Sequence, residues 1–432
     1  MHLAQRAYVL VALTAILAVT GIWSADAALA GLWRVPLGLL LAGLALEGLF
    51  IRRTTLAVQL DAPPRLYLGR PQPASLVFVS GAAAPLRLQY APATPPGFGA
   101  LGEPRAVRIE PGTGTRDAIT LLPVGLGRHE WPPLPARMLG RFGLAWWARE
   151  LDAGRVLSVA PDTAREPAAR PRGAVPGTRP RRAAGGGSEL HQLRAYVPGD
   201  PLGSIDWKAT ARSGRLVARE FSEDQHLDIV LAVDAGRLSR VRAGELDRLG
   251  VYANLAARFA EGAVPSDDRV GLVVYADRPL AVCAPGRGAA AVVRIRRALE
   301  GLAPDVAESD PVAAAARIRS LLRHRSLVVL LTDLADAAHA DPLLRAVRLL
   351  SPPHLVVVAG VLGTEAAVLA KRPASDWRDP WIALAALEQQ ARVRAQVRVL
   401  DRLGVPVVAA PAERLEQAVF AQYETLRRRH RI

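Results

Sequence analysis

Leu227-Asp-Ile-Val-Leu-Ala-Val-Asp234 is a nearly unbroken apolar run that stops at an acid. A strand wetted on one face alternates apolar and polar residues, whereas a strand covered on both faces stays apolar along its length, as in parallel sheets. Four similar runs follow, at Val270–Tyr275, Leu327–Leu331, Leu355–Val361 and Val405–Ala409. Helical stretches lie between and after them: Ala243–Glu261, Ala289–Leu302, Val312–Arg323, Pro342–Leu349, Trp381–Leu403 and a final one over 412–428. This alternation predicts a doubly wound α/β domain over 227–432. The functional end of such a domain is the carboxyl edge of its strands, where Asp234 and Asp333 fall.

Upstream, 54–161 reads as β. Leu56–Leu60, Ala74–Val79, Leu86–Tyr90, Ala106–Glu110 and Ala118–Leu122 are short strand candidates separated by Pro and Gly clusters, the pattern of a small β-sandwich. Trp131, Trp146 and Trp147 follow in Gly125–Arg149; packing in the core is expected, the alternative being a place near the bilayer surface. Arg165–Gly187 is rich in Pro, Gly, Ala and Arg without hydrophobic periodicity, and reads as a linker or an exposed crossing strand. The region 162–226 thus separates the two soluble domains.

Residues 1–53 predict a hairpin of two transmembrane helices. Ala7–Ser24 is apolar and uncharged; Val35–Leu46 is too, before Glu47 interrupts and Gly48–Ile51 resumes. Each approaches the roughly 17–25 residues that a spanning helix needs. A second span so soon after the first argues against a cleaved signal peptide. Arg6, Arg52 and Arg53 put positive charge on both outer flanks, against Arg34 in the link, which directs the body to the cytoplasmic side of an inner membrane.

The chain has 432 residues, half of them hydrophobic, and a formal charge of +15. Its basic residues are almost all Arg; Lys208 and Lys371 are the two lysines. Such charge suits nucleic acid or an anionic bilayer. The Arg residues are dispersed rather than gathered with aromatics, which favours the bilayer and gives no expectation of nucleic acid. One cysteine, Cys283, allows no internal disulfide and fits a reducing compartment. No Walker loop, His-Glu-x-x-His or Gly-x-Ser-x-Gly is present, so catalysis is not expected.

The most distinctive stretch is Gly187-Ser-Glu-Leu-His-Gln-Leu-Arg-Ala-Tyr-Val-Pro-Gly-Asp200, followed by Ile205-Asp-Trp-Lys-Ala-Thr-Ala-Arg212. Pro198-Gly199-Asp200 reads as a tight turn. Asp206, Trp207, Lys208 and Arg212 gather residue types favoured at binding hot spots; the alternative is a strap between domains with Trp207 buried. A lysine in an arginine-rich chain points to a need for a compact ammonium. These two blocks resemble the signature of the domain-of-unknown-function 58 family, with Leu190 in place of the usual Phe and Gly203 in place of the usual Arg. The resemblance implies two transmembrane helices, a β domain, the signature and a von Willebrand factor A-like domain. It also implies association with MoxR-type AAA+ ATPases, and it marks Arg194, Tyr196, Pro198, Gly199, Asp200, Asp206, Trp207, Lys208 and Arg212 as binding residues.

A von Willebrand factor A-like domain often carries a metal-ion-dependent adhesion site, built on Asp-x-Ser-x-Ser after its first strand, a Thr and a later Asp. Asp234 and Asp333 match the two acids, but Gly236 and Leu238 stand at the serine positions, leaving few oxygen ligands for a six-coordinate ion. Mg²⁺ is therefore not expected to bind, and no other cofactor is. The expectation is a non-enzymatic, membrane-anchored accessory protein of a MoxR-type ATPase, acting in assembly or remodelling of protein complexes. The rivals are a metal-dependent enzyme using Asp234 and Asp333 with Asp206 and Lys208, and a basic nucleic-acid-binding protein.

Overall fold

A computed structural model of the chain describes residues 2–23, 31–163, 183–185, 189–223, 227–335 and 337–429. It divides into two units, 1–160 and 161–432.

The first unit begins with β1 (His2–Leu3), α1 (Gln5–Trp23) and α2 (Arg34–Arg53). Both helices are long and apolar enough to cross a bilayer. Ten strands follow: β2 (Leu56–Asp61), β3 (Leu66–Tyr67), β4 (Gln72–Ser80), β5 (Leu86–Tyr90), β6 (Arg105–Ile109), β7 (Thr115–Leu121), β8 (Gly127–Glu130), β9 (Leu134–Leu139), β10 (Ala145–Leu151) and β11 (Val156–Ala160). They form three sheets, ordered β1-β10-β9-β5-β6, β2-β4-β7 and β3-β11-β8. Alternation sets the buried face. In β9, Leu134, Ala136 and Met138 are buried while Pro135 and Arg137 face water, and Met138 pairs across the sheet with the buried Leu88 of β5. Trp131 is buried as expected, whereas Trp146 and Trp147 are half-buried on β10.

Glu47 fixes the β9–β10 turn to α2. It is fully buried, and its carboxylate accepts backbone N–H bonds from Phe142 (2.8 Å), Leu144 (3.0 Å) and Ala145 (3.1 Å). Leu144 of that turn packs on Ala7 of α1 and Leu40 of α2. A side chain at Gly140 would run into the Glu47 carboxyl and force it out of its place.

The second unit opens with a small sheet of β12 (Ala183–Gly185), β13 (Glu189–Ala195) and β14 (Val217–Glu223), in the order β12-β14-β13, with α3 (Trp207–Ser213) between β13 and β14. Then come β15 (Asp228–Asp234), the hairpin β16 (Arg242–Ala243) and β17 (Leu246–Asp247), and α4 (Arg248–Ala263). The chain continues through β18 (Arg269–Tyr275), β19 (Pro279–Gly286), α5 (Gly288–Glu300), α6 (Pro311–Leu321), β20 (Leu327–Leu331), α7 (Ala337–Leu350) and β21 (Leu355–Val361). It ends in α8 (Thr364–Leu369), α9 (Asp379–Arg402), β22 (Val407–Ala410) and α10 (Ala412–Arg429).

The main sheet has the order β19-β18-β15-β20-β21-β22. All its pairs are parallel except β18 with β19. The chain runs from β15 outward through β18 and β19, then returns to β20 and runs out the other way. The switch point therefore lies between β15 and β20, as a doubly wound sheet requires. Val230, Val273, Val328, Leu330 and Val358 pack against Ala314 and Ile318 of α6 and Leu343 and Val347 of α7. Phe259 of α4 stacks on Phe420 of α10 with ring centres 4.9 Å apart. The buried Asp268 accepts from the Tyr423 hydroxyl and from Leu227 N (3.0 Å), which ties α10 to the start of β15.

Several expected elements move. The helix read from Ala243 starts at Arg248, because the β16–β17 hairpin precedes it and Asp247 caps it by accepting from Gly250 N (2.7 Å). Strands β8 to β11 and the antiparallel edge strand β19 were not anticipated; β19 carries Cys283, which is only partly buried. Apart from β12, the stretch Arg165–Gly187 lies outside the described residues.

Replacing Glu47 with Ala strands the N–H groups of Phe142, Leu144 and Ala145. Bonds to a charged group contribute about 1.5–3 kcal/mol each. Hydrogen exchange of the detergent-solubilised chain should show those amides losing protection by about two orders of magnitude, while the β15 and β18 amides keep theirs.

Candidate functional site

The signature segment is a small, internally braced unit. β13 and β14 pair antiparallel, with Arg194 opposite Ala218 and Ala195 opposite Val217. The turn between them is closed by Asp200, whose carboxylate takes both ends of the Arg194 guanidinium (2.7 and 2.8 Å) and also accepts from Val197 N (3.0 Å). Tyr196 donates its hydroxyl to the Asp200 carbonyl (3.2 Å). Gly199 follows Pro198 at φ +110°, a conformation that an L side chain resists. The Arg194 fork and the Val197 amide hold the Asp200 carboxyl down at about 2, well below its ordinary value.

Asp206 then starts α3. Its carboxylate accepts from Ala209 N (2.9 Å), an N-cap, and its own N–H donates to the Val217 carbonyl (2.9 Å). Gly214 ends the helix at φ +66°. Thr210 Oγ1 accepts from Val217 N (3.0 Å), which locks α3 onto β14. Arg194, Tyr196, Pro198, Gly199, Asp200 and Asp206 thus build the segment. Trp207, Lys208 and Arg212 are what it displays. Trp207 is 67% exposed and Leu202 73%, and Lys208 and Arg212 are exposed too. Trp207 is not buried, contrary to what the strap alternative expected: capping by Asp206 places residue 207 at the open first turn of a helix that has no buried residue.

The second cluster sits at the carboxyl ends of β15 and β20, beside the switch point. Asp234 accepts from Gly236 N (3.0 Å) and the Ser309 hydroxyl through Oδ1, and from Thr332 Oγ1 (2.7 Å) through Oδ2. Asp333 accepts from Ala335 N (2.9 Å) through Oδ1, and its Oδ2 forms a buried ion pair with Arg248. Below them, Tyr252 donates to the Thr332 carbonyl (3.0 Å) and accepts from Val361 N (3.2 Å); burial pushes its phenol far above the usual range. Ser309 and Arg248 escaped sequence reasoning. Ser309 lies in a loop, and Arg248 is one of many arginines, at the start of a helix whose apolar pattern begins upstream at Ala243.

These residues do not fit an adhesion-type cation. Gly236 and Leu238 offer no side-chain oxygen at the two serine positions, and the Arg248 guanidinium already neutralises Asp333 and would repel a dication. The cavity beside Asp333 is lined by none of Asp206, Lys208 and Asp234.

A family described as "Protein of unknown function DUF58" matches residues 192–395. That match supports the DUF58 family for this chain. No curated protein matches. Among solved structures, the chain is similar to proximal thread matrix protein 1 from the mussel byssus, at 14% identity and TM-score 0.25, over 32% of this chain and 37% of that one. It thus spans little more than a third of that protein. It is also similar to the conserved hypothetical protein BatB from Bacteroides thetaiotaomicron (12%, TM-score 0.29, 46% of this chain and 99% of that one) and to an uncharacterized membrane spanning protein from Vibrio fischeri (14%, TM-score 0.20, 47% and 98%).

Removing one partner of a buried ion pair leaves the other charge uncompensated. Arg248→Met should therefore lower unfolding free energy by about 3–5 kcal/mol in denaturant titration, and the Arg248→Met/Asp333→Leu pair should recover most of the loss. A second outcome concerns pH. The Asp200 carboxyl is held lower in the folded chain than in the unfolded one, so its stabilisation is fully present above about pH 4. It disappears as pH falls through about 2. Exchange protection at the Val197 amide should follow that course and be flat from pH 4 to 7.

Proposed function

We propose that this chain is a membrane-anchored binding protein with no catalysis of its own, which serves a MoxR-type AAA+ ATPase as an accessory factor in assembling or remodelling protein complexes. Its α1–α2 hairpin spans an inner membrane twice and leaves the rest of the chain cytoplasmic. Its six-stranded sheet belongs to a von Willebrand factor A-like domain that binds partners without a metal. The observation that carries the reading is the division of labour in the signature segment. Arg194, Asp200 and Asp206 are spent on holding its shape, while Trp207, Lys208 and Arg212 stand free in water on α3. An exposed Trp beside two cations has the composition of an interaction hot spot. An ammonium and a guanidinium suit acidic groups on the ATPase.

Trp207→Ala, Lys208→Ala and Arg212→Ala should each leave stability within about 0.5 kcal/mol, as exposed substitutions do. Each should reduce recovery of an AAA+ ATPase in pull-downs from native membranes. Unchanged recovery, or variants that melt far earlier, would overturn the assignment. For topology, a reporter active only in the cytoplasm should light up at the C-terminus and stay silent when placed between α1 and α2.

A further inference from the structure

A cavity of about 610 Å³ opens at the carboxyl edge of the main sheet, beyond the Arg248–Asp333 pair. It lies between the ends of β20, β21 and β22 and the helices α8 and α9. Its size falls in the range of about 300–1,000 Å³ typical of small-ligand sites, and its place at the strand ends is where doubly wound sheets bind ligands.

The lining has two parts. Leu334, Val361 and Leu362 from the strand ends, Ala367 from α8, and Val393 and Val397 from α9 make an apolar wall. The charges are Arg248, Arg394, Arg398 and Asp333. Asp333 is already paired with Arg248, and Arg394 and Arg398 pair with no acid among the described residues, so the cavity holds an excess of two positive charges. Arg394 and Arg398 are four residues apart on α9, as are Val393 and Val397 beside them, so one helix face presents an apolar strip edged with guanidinium groups. Arg394 donates Nε to the Gln390 carbonyl (3.3 Å), which steadies its side chain along the helix. Deeper in, the buried Arg248 faces Asp333, yet its Nη1 makes no aligned hydrogen bond.

We propose that this cavity binds an amphipathic anion, an apolar stem ending in a carboxylate, with the stem against Val361, Val393 and Val397 and the charged end between Arg394 and Arg398. A guanidinium fork matches a carboxylate in two parallel bonds, and the apolar wall beside it takes the stem out of water. The carboxylate belongs either to a free acyl chain or to an acidic side chain within an apolar peptide. This site is separate from α3 and stands or falls independently of the ATPase association.

The test uses the full chain in phosphatidylcholine nanodiscs and equilibrium dialysis. The probes are radiolabelled decanoate, decanol, and the peptide Leu-Leu-Asp-Leu-Leu with both ends blocked. Empty nanodiscs and the Arg394→Gln/Arg398→Gln variant measure lipid partitioning. One saturable site per chain is expected for decanoate or for the peptide, weakened about tenfold or more in the double variant, because hydrogen bonds to a charged group are lost. Both positions are exposed, so the variant should melt as the parent does. Val393→Trp, which fills the apolar wall, should abolish the same site. Saturable decanoate binding assigns the carboxylate to an acyl chain, and peptide binding alone assigns it to a protein segment. Absence of a saturable site for either probe, equal binding by parent and double variant, or decanol binding as tightly as decanoate would overturn the proposal.

Discussion

The ion pair between Arg248 and Asp333 is the constraint around which the strand-end region is organised. Arg248 is the first residue of α4, and Asp333 follows β20, so the pair joins the helix that leaves the β16–β17 hairpin to the strand beside the switch point. Both side chains are almost wholly buried. Neither charge can therefore be released to another task without leaving its partner unpaired in a poorly polarisable setting. The positions of Asp247 as a cap, of Tyr252 one turn along α4 and of Thr332 beside Asp333 all follow from where that pair anchors the helix. The pair also decides the local electrostatics. With Asp333 neutralised by Arg248, the charges left on the cavity lining are those of Arg394 and Arg398.

The signature segment shows the same economy of means in a different form. Its charged residues are not equivalent, although they read alike in the sequence. A carboxylate with two guanidinium bonds and a backbone donor is a structural bolt, and a carboxylate at an N-cap is a helix start. Only side chains left over from such duties can meet another molecule without dismantling the segment, and Trp207, Lys208 and Arg212 are in that position.

How much of this was legible in the sequence differs by element. The parallel strands of the main sheet stood out because burial on both faces leaves no polar residue to disguise them, and Val270–Tyr275 and Leu355–Val361 lie inside the observed strands to within a residue. β19 is hidden because its short apolar run, Leu280–Ala284, is bracketed by Pro279 and Pro285, residues that argue against a strand anywhere but at a sheet edge. β8 is only Gly-Arg-His-Glu, whose place in a sheet comes from its neighbour β11 and not from its own propensity. In the site, Asp234 and Asp333 were found by their position after strands. Arg248 was not, since pairing across 85 positions leaves no periodic trace in the chain. Which signature residues brace and which are displayed was equally hidden, because that depends on hydrogen-bond partners rather than on residue type.

Glu47 has a consequence for the order of events during synthesis. The amides that satisfy its carboxylate come 95 to 98 residues later in the chain. Until β9 and β10 exist, the carboxylate has no internal donors and must keep company with water, because an unpaired ion in apolar surroundings is prohibitively costly. The oldest apolar part of the chain therefore waits for a β-turn made much later before its depth and rotation are set. Assembly of this unit closes from the far end backward: α2 is made before the β9–β10 turn and cannot reach its final seat until that turn forms.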